Sequence, residues 1–326
     1  MAQQRILVTG GFGFIGHNVV RQLQQHGHHV AIVDNRTNYG MVPADEMKYL
    51  FEAREARMAP DTPLYLAHVQ DMESMQLTFN REQPDVVIHL ASFPRQKVVN
   101  ANPVMASSTM MSGMMTLLEV ARHHQVQRFI YVSSSMVYGA FQDDVTEDHE
   151  CRPQGQYGIM KLAGEWLLRD YSRRGSFEHV VLRPSAVYGP LDVRDRVISQ
   201  FMLAARRDET LRVRGAHECL DFTFVDDAAM AIVAAVTAPA AANNTYNITR
   251  SHSWSLLEAA KLACEIAGGG RIEVEDRDPD FPSRGSLNID RARRDLGFDP
   301  KIDLEQGFRI YNEWFENSVF WNPQTV

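Results

Sequence analysis

The stretch RILVTGGFGFIGHNVVRQL, residues 5 to 23, holds glycines at 10, 11, 13 and 16 between an apolar run and an amphipathic one. Glycine costs backbone entropy in any regular element, so this density needs a local cause. ILVTG is β-branched and apolar, as expected of a strand buried on both faces of a parallel sheet. From Phe14 to Gln25 the apolar residues fall at 14, 15, 19, 20 and 23, which is helical spacing. The glycines therefore mark a strand-to-helix turn. Gly10 permits the tight turn, Gly13 lets the backbone approach a pyrophosphate, and Gly16 lets the helix pack on the strand. The phosphates would meet the free N–H groups at the helix N-terminus, around Phe14 and Ile15. The next strand, HVAIVDN, closes on Asp34 and Asn35. A carboxylate there accepts hydrogen bonds from ribose hydroxyls and repels a 2′-phosphate, which favours NAD over NADP. Arg36 weakens that preference without reversing it.

Composition narrows the partners. The 326 residues suffice for one large domain or two interlocking ones, and 44% hydrophobic with 23% charged residues is ordinary for a globular chain. A net charge of −8 argues against nucleic acid, whose phosphates call for a basic footprint. The longest apolar run, AAMAIVAAVTAPAAA at 228–242, is too short and proline-broken to span a membrane. No signal-peptide pattern opens the chain, so a cytoplasmic setting is expected. Cys151, Cys219 and Cys264 are odd in number and widely spaced, which fits neither a disulfide framework nor a metal site.

Downstream, strand and helix signals alternate in the manner of a doubly wound α/β sheet. LYLAHV (64–69), DVVIHLAS (85–92), RFIYVSSS (128–135) and HVVLRPS (179–185) read as strands, and 103–124 and 154–173 as helices. Beyond Pro190 the pattern turns mixed, with strands LRVR (211–214) and TYNI (245–248) and a Pro/Asp-rich loop at 276–285. The expected division is a Rossmann domain at 1–183 and a smaller mixed α/β substrate lobe at 184–326. Parts of 222–250 are expected to return to the first domain. Residues 40–63, with a charged helical patch, form an insertion to which the sequence assigns no role.

Chemistry is concentrated in YGIMK, Tyr157 to Lys161. Residues four apart share a helix face, so phenol and ammonium can enter the same cleft. A free tyrosine, with a pKa of about 10, is a poor base at neutral pH. A nearby cation favours the phenolate, which can then exchange a proton with a hydroxyl as hydride moves to or from a nicotinamide. The preceding YVSSSMVYG places three hydroxyls at the C-terminal end of a parallel strand, where open α/β sheets bind ligands.

Taken in order, TGGFGFIG, Asp34, HLAS, YVSSSMVYG, YGIMK, LRPSAVYGP and DFTFVDD resemble the successive motifs of the extended short-chain dehydrogenase/reductase family. More narrowly, they resemble its nucleotide-sugar epimerase and dehydratase branch. The resemblance runs from about residue 5 to FDPKIDLEQGFRIYNEWF, which is similar to the family's C-terminal helix. It implies NAD as cofactor, with Gly10, Gly13 and Gly16 on the pyrophosphate and Asp34 on the adenosine ribose. Asp71 and Met72 would flank the adenine, and Leu90, Ala91, Ser92, Ser133 and Pro184 would lie along the cofactor. Lys161 would hold the nicotinamide ribose, Tyr157 would be the acid/base, and Ser134 would steer the substrate oxygen. Ser135, Met136 and Ala186 would face the substrate.

Departures from the family pattern direct the reading of the reaction. Dehydratases of this branch carry an acidic pair just after the catalytic Ser/Thr, where this chain has Ser135 and Met136. Decarboxylases tend to have a glutamate at the place of Met136. Leu220 replaces an arginine that grips the nucleotide diphosphate, and Ala186 replaces an asparagine with the same target. Arg277 matches a second phosphate-binding arginine, and Arg194, Arg196, Arg212 or Arg214 could substitute for the first. Met110 stands where the family has an asparagine. Arg95 and Lys97, just past a strand end, could meet an anionic substrate.

The expected activity is an NAD-dependent sugar-nucleotide epimerase acting at C4 through a keto sugar. The alternative is an oxidoreductase acting on a sugar, or another alcohol or carbonyl, without a nucleotide handle. A third reading is a dinucleotide sensor or scaffold, which would have no need of Tyr157, Lys161 and Ser134. No metal is expected, and His17, His26, His28 and His29 read as a solvated helix end. The methionines at 105, 110, 111, 114 and 115 read as adaptable packing. Apolar stripes (Val104, Met111, Met115 and Leu118; Ile159, Leu162 and Trp166) exceed what one sheet face can cover. Family members resembling this chain pair these two helices across a two-fold axis, so a homodimer is expected.

Overall fold

Short apolar runs separated by amphipathic helices build the molecule, seen in a computed structural model that describes residues 3–279 and 281–318. Six parallel strands, β1 (Arg5–Thr9), β2 (His29–Asp34), β3 (Leu64–Leu66), β4 (Val86–His89), β5 (Arg128–Val132) and β6 (Glu178–Arg183), are joined by a seventh at Asn244–Asn247. Their spatial order is Asn244–Asn247, β6, β5, β4, β1, β2, β3. The chain leaves β1 toward β3, then restarts on the other side of β1 with β4. That reversal opens a crevice at the carboxyl ends of β1 and β4, where such sheets take ligands. Thr9 lies opposite Val33 and His89 in register, and its hydroxyl bonds the His89 ring at 2.7 Å.

Both sheet faces are covered, which is why the strands lack a polar side. One face packs on helices Phe14–Gln25 and Val225–Thr237 through Val19, Leu23, Ala229 and Ile232. The other meets Met72–Glu82, Gly113–His123 and Gln156–Arg173 through Phe79, Leu117 and Leu168. A separate core gathers helices Val197–Arg206, Leu256–Ala267 and Leu304–Asn317 around Phe201, Met202, Leu211, Phe308 and Tyr311.

Several elements differ from the sequence reading. Strands β4 to β6 end earlier than their apolar runs, because Leu90 to Ser92, Ser133 to Ser134 and Pro184 to Ser185 leave the sheet and line the crevice. Asn244–Asn247, in the stretch 222–250 expected to return to the first domain, adds to the edge of the main sheet beside β6. The helix expected over 103–124 is divided into Pro103–Ser107, a π-helical turn Ser108–Ser112, and Gly113–His123. Its methionines are divided too, with Met110 and Met114 buried and Met105 60% exposed. Leu118 is fully buried against the sheet and does not belong to an outward stripe. His17 and His28 are buried, contrary to a solvated helix end; burial holds the His17 ring well below its ordinary pKa, and its Nδ1 lies 3.1 Å from the Gly13 carbonyl. Among the described residues no helix is long and apolar enough to cross a membrane.

Candidate active site

At the end of β1 the backbone enters the turn with Gly10 at φ 75°, and a Cβ there would stand 2.7 Å from the Ala91 nitrogen. A Cβ on Gly16 would lie 2.1 Å from the Gly10 carbonyl oxygen. No larger residue fits either place without moving backbone, so the turn stays open and flat above the helix. Gly13 is the N-cap of Phe14–Gln25 and supplies no side chain, which leaves the first-turn amides facing the crevice. Gly11, for which the sequence suggested no task, packs on Ile32 of β2.

The crevice has a volume of about 270 Å³ and runs from Asp34 to Arg196. Gly10, Gly13, Phe14, Ile15, Gly16, Asp34, Asn35, Leu90, Ala91, Ser92, Ser133, Ser134, Tyr157, Lys161, Pro184, Ala186 and Arg95 all line it. Asp34 accepts from the amides of Phe12 (2.9 Å) and Arg36 (2.7 Å), which fixes the carboxylate at the strand end. Burial raises its pKa, and those two bonds oppose the rise. Arg36 turns aside, stacking 4.2 Å over the Phe12 ring and pairing with Glu55 at 3.0 Å.

At the other end, Tyr157 sits in the first turn of Gln156–Arg173 with Lys161 one turn on. Burial raises the Tyr157 pKa, while a hydrogen bond with Ser134 and the charge of Arg196 pull it back. Lys161 is 3% exposed, donates to the Val132 carbonyl at 2.8 Å, and lies 5.9 Å from the centre of the Tyr157 ring. Burial brings Lys161 down to about 7, against the opposing influence of Glu165. Ser134 accepts from the Met136 amide at 3.2 Å, which holds its hydroxyl toward the tyrosine. The arrangement can pass a proton between Tyr157 and a ligand oxygen steadied by Ser134.

Not every expected residue reaches this cleft. Asp71 caps Met72–Glu82 by accepting from the Ser74 amide and hydroxyl, and Met72 is exposed; neither is among the lining residues. Ser133 lines the wall but gives its hydroxyl to Glu165 at 2.6 Å. Ser135 and Met136 are buried behind the wall. Arg194 pairs with buried Glu46 at 2.9 Å, and Arg212 and Arg214 pair with Glu275. Arg277 donates to the Phe281 carbonyl at 2.7 Å and faces Glu218, away from the cleft. Arg95 lines the cleft in an ion pair with Asp195.

Three residues escaped the sequence reading. Arg54, in the unassigned insertion, is buried and donates to the carbonyls of Phe12 (3.0 Å) and Leu191 (2.8 Å), tying the glycine turn to the far wall. Arg284 reaches the Met136 sulfur at 3.6 Å and is close enough to Arg196 for their charges to repel. Asp192 faces the cleft 3.6 Å from Arg196, with Arg54 and Arg95 also near. The only available signal was the density of arginine around RDR and SR, without any indication of direction.

Comparison with known proteins fits this geometry. A family model described as the NAD dependent epimerase/dehydratase family matches residues 6–249. The chain is 29% identical to a dTDP-glucose 4,6-dehydratase of Neisseria meningitidis, over 98% of this chain and 95% of that protein. It superposes on a UDP-glucose 4-epimerase of Thermotoga maritima, solved with UDP-glucose, with a TM-score of 0.86 at 27% identity, covering 95% of this chain and 98% of that one. A UDP-glucuronic acid 4-epimerase of Bacillus cereus, solved with UDP-glucuronic acid and NAD, gives 0.86 at 25% identity, again over 95% and 98%. The glycine cradle and Asp34 fit the dinucleotide. The chain thus belongs to the NAD-dependent epimerase/dehydratase family, within the extended short-chain dehydrogenases/reductases.

Proposed function

We propose that the protein is an NAD-dependent nucleotide-sugar epimerase acting at C4. The observation that carries this reading is the absence of a free carboxylic acid at the reactive end of the cleft. Ser135 and Met136 occupy the places where dehydratases of this branch carry acids. Of the described residues, Asp34 and Asp192 are the carboxylates that line the cleft. Asp34 is held by two backbone amides at the far end, and Asp192 accepts from the Val193 amide among guanidinium groups. Asp34 is thus remote from Tyr157, and Asp192 is paired with Arg196.

NAD, when bound, supplies the hydride acceptor and donor. Tyr157 takes the proton from the C4 hydroxyl and later returns one to the C4 oxygen. Ser134 holds that oxygen in both half-reactions, and Lys161 keeps a positive charge beneath the phenol. The glycine turn and Asp34 hold the far end of the cofactor. The test is incubation of the purified protein with UDP-glucose, UDP-glucuronate and dTDP-glucose, with products separated by NMR. A C4 epimer formed without net NADH supports the reading. A 4-keto-6-deoxy product would instead assign a dehydratase, and stoichiometric NADH an oxidoreductase.

Three predictions follow from the site. NAD should bind at least about tenfold more tightly than NADP in calorimetric titration, because Asp34 repels a 2′-phosphate and Arg36 is engaged by Phe12 and Glu55. Equal affinities would refute this placement of Arg36. On the substrate side, Arg277→Ala should leave UDP-sugar affinity within about twofold, while Arg196→Ala should weaken it about tenfold or more, the worth of one charge-assisted contact. The reverse ranking would return the phosphate-binding role to the 276–285 loop.

The third concerns assembly. Val104 (82% exposed), Met105, Met115, Ile159 and Trp166 (63%) stand exposed on the helices at 103–123 and Gln156–Arg173. This surplus favours a homodimer through those helices. Sedimentation at micromolar concentration should give twice the 37.0 kDa of one chain, and Trp166→Glu should shift it toward one. A wild-type mass of a single chain would remove the dimer.

A further inference from the structure

A buried hydroxyl with no partner calls for an explanation, since its desolvation goes uncompensated, and one that lines a cleft is open to a ligand. Ser185, one residue beyond Pro184, is such a case: it is 3% exposed, it lines the cleft, and its Oγ has no hydrogen-bond partner among the described residues. The next residue gives an independent indication. Ala186 holds φ 35°, a left-handed conformation that non-glycine residues avoid and that tends to persist at ligand-clamping positions. Together these residues mark a turn shaped for something other than its own stability.

Their neighbours indicate which ligand is served. The Pro184 carbonyl accepts from the Ser135 amide at 2.9 Å, which ties this turn to the serine turn carrying Ser134. Ser134 bonds Tyr157, and beyond Ala186 the chain continues to Asp192 and Arg196 on the same wall. Ser185 thus belongs to a cleft-lining turn that joins the serine turn of the proton-transfer pair to the cationic wall. We propose that the Ser185 hydroxyl is a specificity-determining contact that hydrogen-bonds a ring hydroxyl of the hexose of a nucleotide sugar. The proposal rests on the nucleotide-sugar reading above and adds to it a residue that reads the sugar rather than the nucleotide.

The structure also sets a sign that a merely structural serine would not show. With no protein partner to lose, Ser185→Ala should melt at the same temperature as ligand-free wild type, or higher. Calorimetric titration of the NAD-loaded protein should then give unchanged affinity for UDP and for NAD. Affinity for UDP-glucose should fall about fivefold or more, the worth of one neutral hydrogen bond. A lower melting temperature of the ligand-free variant would show that the hydroxyl has a protein partner, and would overturn the proposal. Equal losses for UDP and UDP-glucose, an unchanged UDP-glucose affinity, or a loss confined to NAD would each overturn it as well. If wild type binds neither UDP nor any UDP-sugar, the nucleotide-sugar reading itself falls, and Ser185 with it. That outcome is visible in wild type before any variant is made.

Discussion

Tyr157→Phe should lower turnover by about two to four orders of magnitude while leaving NAD affinity and the fold unchanged. The variant removes one oxygen, the one that Ser134 bonds and that Arg196 favours in its charged form. Nothing in the packing depends on it, since the ring keeps its place with Phe93, Val99 and Met110. Single-turnover kinetics with the true substrate, followed by nicotinamide absorbance, separates hydride transfer from release. Lys161→Met should behave differently. Its ammonium, 3% exposed and donating to the Val132 carbonyl, lines the cleft beside the phenol, where it would hold the nicotinamide ribose, so both NAD affinity and turnover should fall. Near-normal turnover in Tyr157→Phe would mean that another group carries the proton, and the acid/base assignment would be withdrawn.

These two residues were legible in the sequence because their relation is local. Four residues on one helix share a face whatever the rest of the chain does. The same holds for the glycine turn and Asp34, where a short run fixes the turn, the helix start and the strand end. The arginines show the opposite case. Arg194 and Arg196 differ by two positions, yet one is spent on Glu46, 148 residues away, and the other lines the cleft. Which arginine faces the cleft depends on which carboxylate folds beside it, and spacing along the chain does not encode that. Arg277 matched a family position but turns to its own loop, while Arg284, seven residues on, lies against Met136. Arg54 is the extreme instance. It sits on a helix of weak amphipathic pattern, and its purpose appears only once Phe12 and Leu191 converge on it.

The largest effect on stability should come from Glu165, a residue without any motif of its own to single it out. Its carboxylate is fully buried and accepts from the Ser133 hydroxyl (2.6 Å), from Arg183 through two nitrogens (2.9 and 2.6 Å) and from Arg169 (3.1 Å). The Arg183 side chain is itself only 2% exposed. Glu165→Ala should cost about 3–5 kcal/mol in urea unfolding, because it leaves a buried guanidinium without its counter-charge. The Tyr138 hydroxyl (2.8 Å) and the Glu147 carbonyl (3.3 Å) would still accept from Arg183, but neither carries a charge. Replacing both partners, as Glu165→Leu with Arg183→Met, should recover most of the loss, since a buried pair and its apolar substitute are often close in energy. The same carboxylate acts on the site through its charge on Lys161. It opposes the burial that brings Lys161 down to about 7, whereas Tyr131 and His89, also packed near that ammonium, are held neutral by burial. In Glu165→Gln the Lys161 pKa should therefore fall further, so that its charged form is lost at lower pH and the alkaline limb of the turnover profile moves down with it. A loss below about 1 kcal/mol in Glu165→Ala would show that Arg183 is satisfied without its partner. An unmoved pH profile in Glu165→Gln would leave the ion pair a matter of stability alone.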